Sequence, residues 1–255
     1  SNGIGKSNLL ESVEFLSQLK SNRASNDRDL INNHSEYSSI IAKVDLSHIL
    51  KIELLRIGAK KVYVNDCLLK KQGDIKNYIR SVCFNSDDIY IVKGEPKFRR
   101  NWLDKVVSQL EPVYVELLSR YNRLLKQRSH YWRSEITNNS NSDNLIDSFD
   151  SQLALAGTRI YRRRNRALNK LKPYIQNWHK QLSFSKEITD LNYISSIQIS
   201  SELDNEKEIM DIYLSNLRQK RQLEAITGKC MVGPHRDDVE FFINDYSIKK
   251  YASSG

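Results

Sequence analysis

The sequence opens Ser1-Asn2-Gly3-Ile4-Gly5-Lys6-Ser7-Asn8 and runs directly into apolar residues at helical spacing. Gly5-Lys6-Ser7 fill the last three positions of the P-loop pattern G-x-x-x-x-G-K-[ST], whose first glycine would fall one residue before Ser1. Glycines let backbone N–H groups approach phosphate oxygens, and a helix N-terminus adds partial positive charge. The stretch predicts a phosphate-binding loop that opens a helix over residues 6–20. The alternatives are a tag remnant and a helix-capping turn.

The residue types after the glycine have defined roles in a P-loop. The lysine reaches the β- and γ-phosphates of the nucleotide, and the following hydroxyl ligates Mg²⁺. If the loop is real, Lys6 is a nucleotide ligand and Ser7 is the metal ligand. The strand that should precede such a loop is not in the sequence, so we expect the chain to be part of a longer protein.

Basic residues are concentrated in the middle of the chain. The 255 residues carry a net charge of +9, which favours a polyanionic partner. Residues 97–136 hold nine basic and four acidic side chains, and residues 159–186 hold nine basic and none acidic. We expect salt-dependent contacts to nucleic-acid phosphates here, or pairing of part of this face with the acidic segment 187–228. The candidates for the DNA contact are Arg159, Arg162, Arg163, Arg164 and Arg166.

Other compositional features exclude several classes of protein. The hydrophobic fraction of 39% in 255 residues is enough for one large core or two ordinary ones. Three scattered cysteines indicate neither a disulfide framework nor a zinc site and fit a reducing compartment. No apolar run is long enough for a membrane span, and no secretion signal is present. We therefore expect a cytoplasmic protein that does not enter a membrane.

Glycine is sparse between Gly94 and Gly228, where only Gly157 occurs, so long helices are expected there. Short strands are predicted elsewhere, with a hairpin turn at Asn65-Asp66. The predicted strands cover 40–46, 50–57, 61–65, 78–84 and 188–199, and a final hairpin covers 239–251. The predicted helices cover 97–136, with Pro112 in a first turn, 145–186, with a break near Pro173, and 203–226. The predicted loops cover 22–36 and 138–144.

This order of elements predicts an α/β fold with two domains. Residues 1–96 and 229–255 would form one discontinuous domain, and residues 97–228 would form a basic helical lobe.

A second motif runs from Asp87 to Asp104 and contains adjacent arginines at the start of a helix. Adjacent residues point about 100° apart on a helix, so Arg99 and Arg100 should not share one partner. One would pair with an acid such as Asp104, and the other would face a phosphate or another lobe. The alternative is a pair of solvated surface arginines.

A third motif, Gly233-Pro234-His235-Arg236-Asp237-Asp238, presents four ionisable side chains behind a rigid turn. His235 and Asp237 would be an acid–base pair or metal ligands, and Arg236 would bind phosphate. The alternative is an ion-pair network within a loop. The chain then ends Tyr251-Ala252-Ser253-Ser254-Gly255, either a backbone anion site or a flexible tail.

Taken in order, these segments resemble the RecF family of bacterial recombination-mediator ATPases, which is related to the ABC and SMC ATPases. The opening SNGIGKSNLLES is similar to the family's P-loop, and the last five residues are similar to the start of its ABC signature loop. Ser86, Glu95 and Trp102 depart from the family's usual residues. The family-signature residues are Arg99, Arg100, Asp104, His235, Arg236 and Asp237.

The resemblance implies a P-loop ABC-type ATPase head, incomplete at both ends, with a large α-helical insertion lobe. It implies ATP and Mg²⁺ as cofactors and an ATP-dependent homodimer in which Ser253 and Gly255 act in trans. No Walker B motif follows Gly255, so the chain is expected to be inactive, and the resemblance implies a weak DNA-stimulated ATPase activity only for the full-length protein. The implied nucleotide contacts in the P-loop are Asn2, Gly3, Gly5, Lys6, Ser7 and Asn8.

The resemblance also implies partners and a biological role. The family binds single-stranded and gapped duplex DNA and helps to load RecA together with RecO and RecR. DNA damage repair, replication, the SOS response and a cytoplasmic, nucleoid-associated location follow from this role. For the Gly233–Asp238 loop we expect a structural role in which Arg236 or His235 couples the nucleotide site to the helical lobe.

Two other functions are weighed against this one. A non-enzymatic helical nucleic-acid-binding module would only mimic a P-loop and would have no nucleotide affinity. A P-loop metabolite kinase would need lid arginines and a base, but not a long basic helical insertion.

Overall fold

The computed structural model describes residues 5–21, 23–133, 142–200 and 203–251. The chain divides into two compact units, residues 1–85 and residues 86–255, which are described separately below. The prediction that 1–96 and 229–255 form one head, with 97–228 as a separate lobe, stays a prediction.

The first unit combines one helix with a four-stranded antiparallel sheet of order β1-β2-β3-β4. The helix α1 spans Lys6–Gln18, as the apolar spacing predicts. Two short 3₁₀ helices span Asp27–Leu30 and Gln72–Asn77. The strands are β1 Tyr37–Lys43, β2 Ile49–Leu55, β3 Lys61–Val64 and β4 Cys67–Leu68.

Period-two alternation builds the core of this unit. Leu50, Ile52 and Leu54 on β2 are buried, and β1 and β3 pair with β2 on either side. Phe15 and Leu16 of α1 belong to the same hydrophobic cluster. Asn65 and Asp66 both adopt left-handed backbone conformations between β3 and β4, which confirms the predicted hairpin turn.

The strand predicted at residues 78–84 is wrong. These residues form neither helix nor strand, and Val82 and Phe84 are 92% and 90% exposed. A β-branched, apolar run becomes a strand only when a neighbouring strand satisfies its backbone, and no such pairing exists among the described residues of this unit.

The second unit is mainly helical. A 3₁₀ helix at Ser86–Asp88 precedes its first α-helix. The helices are α2 Ile89–Lys93, α3 Pro96–Leu110, α4 Val113–Arg133, α5 Ser142–Leu182, α6 Glu206–Thr227 and α7 Ile248–Tyr251. The strands β5 Thr189–Ile194, β6 Asp238–Ile243 and β7 Tyr246–Ser247 form an antiparallel sheet in that order.

Two prolines behave differently in these helices. Pro112 lies directly before α4, one residue ahead of the first turn in which it was predicted, and its missing N–H costs nothing there. Pro173 lies inside α5, which continues unbroken to Leu182, so the predicted break is wrong. Packing of this part of α5 on β5, with Lys172 and Gln176 both bonded to Asp190, holds the helix together across the proline.

The final hairpin is confirmed in part. β6 and β7 are joined by Asn244 and Asp245, both in left-handed conformations. β7 ends at Ser247, and the chain continues as the short helix α7 rather than as a strand. Most of the loop predicted at 138–144 lies outside the described residues.

None of the described helices is both long and apolar enough to cross a membrane.

Candidate functional site

The phosphate-loop motif lies at the N-terminus of α1. Gly5 has φ +77°, a left-handed backbone conformation that residues other than glycine rarely adopt, and it precedes the first helical residue, Lys6. Lys6, Ser7 and Asn8 are exposed in the first turn, and no cap from a side chain to their backbone N–H groups is present among the described residues. This geometry leaves the helix N-terminus open to an anion. Asn2, Gly3, Ser253 and Gly255 lie outside the described residues.

The Gly233–Asp238 loop connects the end of α6 to β6 and lies among α3, α4, α5 and β5. Gly233 has φ +130°, and a Cβ there would come 2.2 Å from Tyr121 Oη of α4. The Ser196 hydroxyl accepts from Gly233 N–H at 3.1 Å and donates to Gly233 C=O at 3.2 Å. Only glycine fits this position, because both the conformation and the space exclude a side chain.

Arg99 and Arg100 both reach this loop from α3. Arg99 is buried and donates Nε to Asp238 Oδ1 at 2.7 Å and Nη2 to Asp238 Oδ2 at 2.9 Å. Arg100 donates Nη1 to the Asp237 carbonyl at 2.8 Å, and burial lowers its pKa. One of the two arginines thus pairs with an acid, as expected, but the acid is Asp238 rather than Asp104. The two arginines bind adjacent groups of one loop and tie α3 to the start of β6.

Asp237 is the buried acid of the motif, with 1% of its surface exposed. Its carboxylate accepts from Tyr193 Oη at 2.6 Å and from the Ser196 N–H at 2.7 Å. Burial raises the pKa of Asp237, while these bonds and the charge of Arg164 oppose the rise. The carboxylate thus holds β5 and the residues after it against the loop.

His235 is bonded as a neutral ring. Its Nε2 lies 3.1 Å from the Cys230 carbonyl, which can only accept, so Nε2 carries the proton and Nδ1 accepts from Tyr121 Oη at 2.8 Å. Burial lowers the pKa of His235 to about 4. Arg236 Nε and Nη2 donate to the same Cys230 carbonyl.

The motif is therefore an ion-pair and hydrogen-bond network within a loop, which was the alternative expectation. His235 and Asp237 bond different partners, so they are not an acid–base pair. No group of three His, Cys, Asp or Glu side chains in the described part of the chain could hold a metal ion.

Arg164 lies inside the second unit rather than on its surface. Its side chain is 3% exposed and forms a double hydrogen bond to the Asp104 carboxylate, with Nε–Oδ1 at 2.8 Å and Nη2–Oδ2 at 2.9 Å. Its Nη1 donates to the Pro234 carbonyl at 2.7 Å. The prediction that Arg164 contacts DNA is wrong in this fold, because its donors already bind α3 and the Gly233–Asp238 loop.

Three other candidate arginines of α5 are paired with carboxylates. Arg159 and Arg162 bond Glu206 at 3.0 Å each, and Arg162 also bonds Asp204 at 2.8 Å. Arg163 bonds Glu111 at 2.8 Å. The arginines lower the pKa of Asp204 and of Glu206 through these bonds. The basic face of α5 thus pairs in part with the acidic segment 187–228, the alternative that its charge allowed.

Comparison with known proteins identifies the family. A RecF protein of Synechococcus sp. (strain CC9605), named as a DNA replication and repair protein, is 43% identical over 254 residues, covering 100% of this chain and 70% of its own length. One from Parasynechococcus marenigrum (strain WH8102) is 44% identical over 255 residues, with the same coverage. The chain belongs to the RecF family. Its Gly233–Asp238 network is thus part of a RecF-family fold.

Solved structures confirm the fold of this RecF-family chain. It matches the recombination mediator RecF bound to ATPrS with a TM-score of 0.90 at 30% identity, covering 100% of this chain and 68% of that one. It matches RecF bound to ATP with a TM-score of 0.88 at 30% identity, covering 98% of this chain and 67% of that one. A scan against protein-family models found no match. The predicted ATPase-head class with a helical region is confirmed by the RecF structures.

Sequence reasoning missed a second buried network in this RecF-family chain. Arg128 of α4, Asp150 of α5 and Glu224 of α6 are all fully buried, and Arg128 bonds both carboxylates. Burial alone would lower the pKa of Arg128, but the charges of the two carboxylates raise this pKa above its usual value. Glu224 also accepts from Met231 N–H at 2.6 Å and so reaches the segment before the Gly233–Asp238 loop.

The sequence does indicate that Arg128 and Arg164 are buried, because each lies at helical spacing from buried apolar residues. Ile160, Ala167 and Leu168 are buried on α5, and position 164 follows 160 by four residues on the same face. Arg128 follows the buried Tyr121 and Leu124 of α4 in the same way. A basic residue in phase with a buried stripe predicts an internal ion pair.

Proposed function

We propose that this chain forms the nucleotide-binding and DNA-binding part of a RecF-type recombination mediator. In this proposal it binds single-stranded or gapped duplex DNA, dimerises on ATP, and acts with RecO and RecR to help load RecA. The role in the SOS response and a cytoplasmic, nucleoid-associated location belong to the same proposal.

One observation carries the nucleotide part of the proposal. A chain that matches RecF structures solved with ATP and with ATPrS over nearly its whole length has a left-handed glycine, a lysine and a serine at the N-terminus of α1. Glycine leaves the space beside the helix N-terminus open to the described part of the chain, in which no atom lies within 4 Å of a Cβ built at Gly5. An exposed cation and a hydroxyl in the first turn fit a triphosphate and its metal ion.

The proposal assigns roles to individual residues. The Lys6 ammonium would bind the β- and γ-phosphates, and the Ser7 hydroxyl would ligate Mg²⁺, which neutralises phosphate charge when bound. Ser253 and Gly255 would close over the nucleotide of a second copy in the dimer. Backbone N–H groups from Gly5 onward would hold phosphate oxygens without any step of proton transfer.

The basic second unit supports the DNA part of the proposal. Among the α5 candidates, Arg166 is exposed and has no ion pair within the described ranges. Arg159, Arg162 and Arg163 would have to exchange a carboxylate for a phosphate. Phosphate contacts alone would make binding weakly sequence-specific and strongly dependent on salt.

Equilibrium binding of labelled ATP to the full-length protein tests the proposed nucleotide site. We expect the Lys6→Ala variant to bind ATP at least 10-fold more weakly, because it lacks the ammonium group that would bond the phosphate oxygens. Lys43→Ala, which removes an exposed lysine at the end of β1, is the matched control and should bind like the wild type. A wild-type protein without ATP affinity would support the helical nucleic-acid-binding module instead.

A further inference from the structure

The ion pairs of α5 make its paired arginines a weaker candidate for the nucleic-acid contact than the sequence indicated. Arg159, Arg162 and Arg163 already have carboxylate partners at 2.8–3.0 Å. A phosphate can bind them only after it displaces those carboxylates. The free energy of binding is then only the difference between the new arginine–phosphate pair and the lost arginine–carboxylate pair. A surface whose cations have no internal partner is the better place for a polyanion.

The outward face of α4 is such a surface. Tyr114, Tyr121, Leu124 and Tyr131 define the buried face of this helix. Residues 119, 123, 126 and 130 are three or four positions apart, so they form one stripe on the opposite face. All four are exposed, and Asn122 is exposed beside them. We call Ser119, Asn122, Arg123, Lys126 and His130 the α4 stripe.

The charges of this helix are of one sign over most of its length. No acidic residue occurs from Leu117 to Arg133. Neither Arg123 nor Lys126 takes part in an ion pair or a hydrogen bond to another side chain within the residues that the structure describes. Their charge is therefore available to a ligand, in contrast to that of Arg159, Arg162 and Arg163.

The spacing of the stripe fits an extended polyanion. With a rise of about 1.5 Å per residue, three or four positions along a helix correspond to roughly 4.5–6 Å. The stripe from Ser119 to His130 therefore runs for roughly 16 Å along α4. Ser119 and Asn122 add neutral donors beside the cations, a combination that is common at sugar–phosphate backbones.

We infer that the α4 stripe binds the sugar–phosphate backbone of DNA and is the main nucleic-acid contact of the second unit. This inference rests on the proposed function, since it locates the DNA contact of the same protein. A protein partner is less well matched, because the centre of the stripe has no large apolar side chain that could anchor an interface.

The experiment compares two double variants of the full-length protein. Arg123→Ala/Lys126→Ala removes two cations that have no ion-pair partner among the described residues, and Arg162→Ala/Arg163→Ala removes two that are paired. Affinity for a short labelled DNA duplex is measured as a function of salt concentration, and circular dichroism checks that both variants keep their helical content.

We expect the α4 variant to bind at least 10-fold more weakly at about 0.1 M salt and to lose nearly two units of the slope of log affinity against log salt. The α5 variant should change little. Loss confined to the α5 variant would overturn the inference while the proposed DNA binding stands. Unchanged affinity in the α4 variant would also overturn it and would point to another macromolecule on α4. A wild-type protein that binds no DNA would contradict the proposed function itself.

Discussion

The carboxylate of Asp238 accepts two parallel hydrogen bonds from the guanidinium of Arg99, at 2.7 and 2.9 Å, and so joins the third motif of the sequence to the second. These residues are 139 positions apart in the chain. Arg99 also donates Nη1 to the Gly94 carbonyl at 2.8 Å, which fixes the turn before α3. The pair therefore holds the entrance of α3 against the first residue of β6.

Truncation of Arg99 tests the importance of this pair. Arg99 is 2% exposed, so Arg99→Ala leaves the Asp238 carboxylate without its main partner in a largely buried place. We expect a loss of about 3 kcal/mol in the free energy of unfolding, measured by urea denaturation. Arg99→Lys should lose less, since it keeps the charge but not the two parallel bonds. Equal stability of Arg99→Ala and the wild type would show that the pair contributes nothing.

Gly233 gives a second test, because both its conformation and its surroundings exclude a side chain. Gly233→Ala would place a methyl group 2.2 Å from Tyr121 Oη at φ +130°. We expect a loss of at least about 2 kcal/mol in the free energy of unfolding. Gly73→Ala is the control, since nothing lies within 4 Å of a Cβ there, and it should change stability by less than about 1 kcal/mol. Similar effects of the two substitutions would contradict this assignment.

The buried His235 predicts a pH dependence of stability. Its pKa is lowered to about 4 in the fold, against about 6.5 for an ordinary histidine, because burial disfavours the charged ring. Between these values the unfolded chain binds a proton that the folded chain does not. The contribution is therefore fully present above pH 6.5 and is lost as the pH falls towards 4.

From pH 7.5 to pH 5 this difference corresponds to about 2 kcal/mol of lost stability. The measurement is urea unfolding at both pH values for the wild type and for His235→Gln, which has no titrating ring. The difference between the two proteins should grow smaller as the pH falls. If both proteins lose the same stability over this range, His235 is not buried as a neutral ring.

Much of the fold was predictable because its signals are local. The apolar spacing of α1, the alternation of β2 and the Asn65-Asp66 turn each depend on residues close together in sequence. The strand expected at residues 78–84 failed because pairing needs a distant neighbour that local propensity cannot supply. The break expected at Pro173 failed because packing on β5 overrides the local cost of proline.

The candidate sites, like the fold, were predictable where the signal is local and not where it depends on distant residues. Gly5, Lys6 and Ser7 were predicted from a local pattern, and the structure places them at a helix N-terminus. The partners of Arg99 and Arg164 depend on contacts between residues 60 to 139 positions apart, so the sequence could not name them. The coupling of Arg236 or His235 to the nucleotide site stays a prediction.

The most direct test of the central claim, nucleotide-dependent DNA binding, is the affinity of the full-length protein for a short gapped duplex with and without ATP and Mg²⁺. Binding linkage requires that ATP and DNA strengthen each other's binding if both favour the same state. We predict that ATP tightens DNA binding at least 5-fold in the wild type and has no effect on the Lys6→Ala variant. Equal DNA affinity of the wild type with and without ATP would contradict the account.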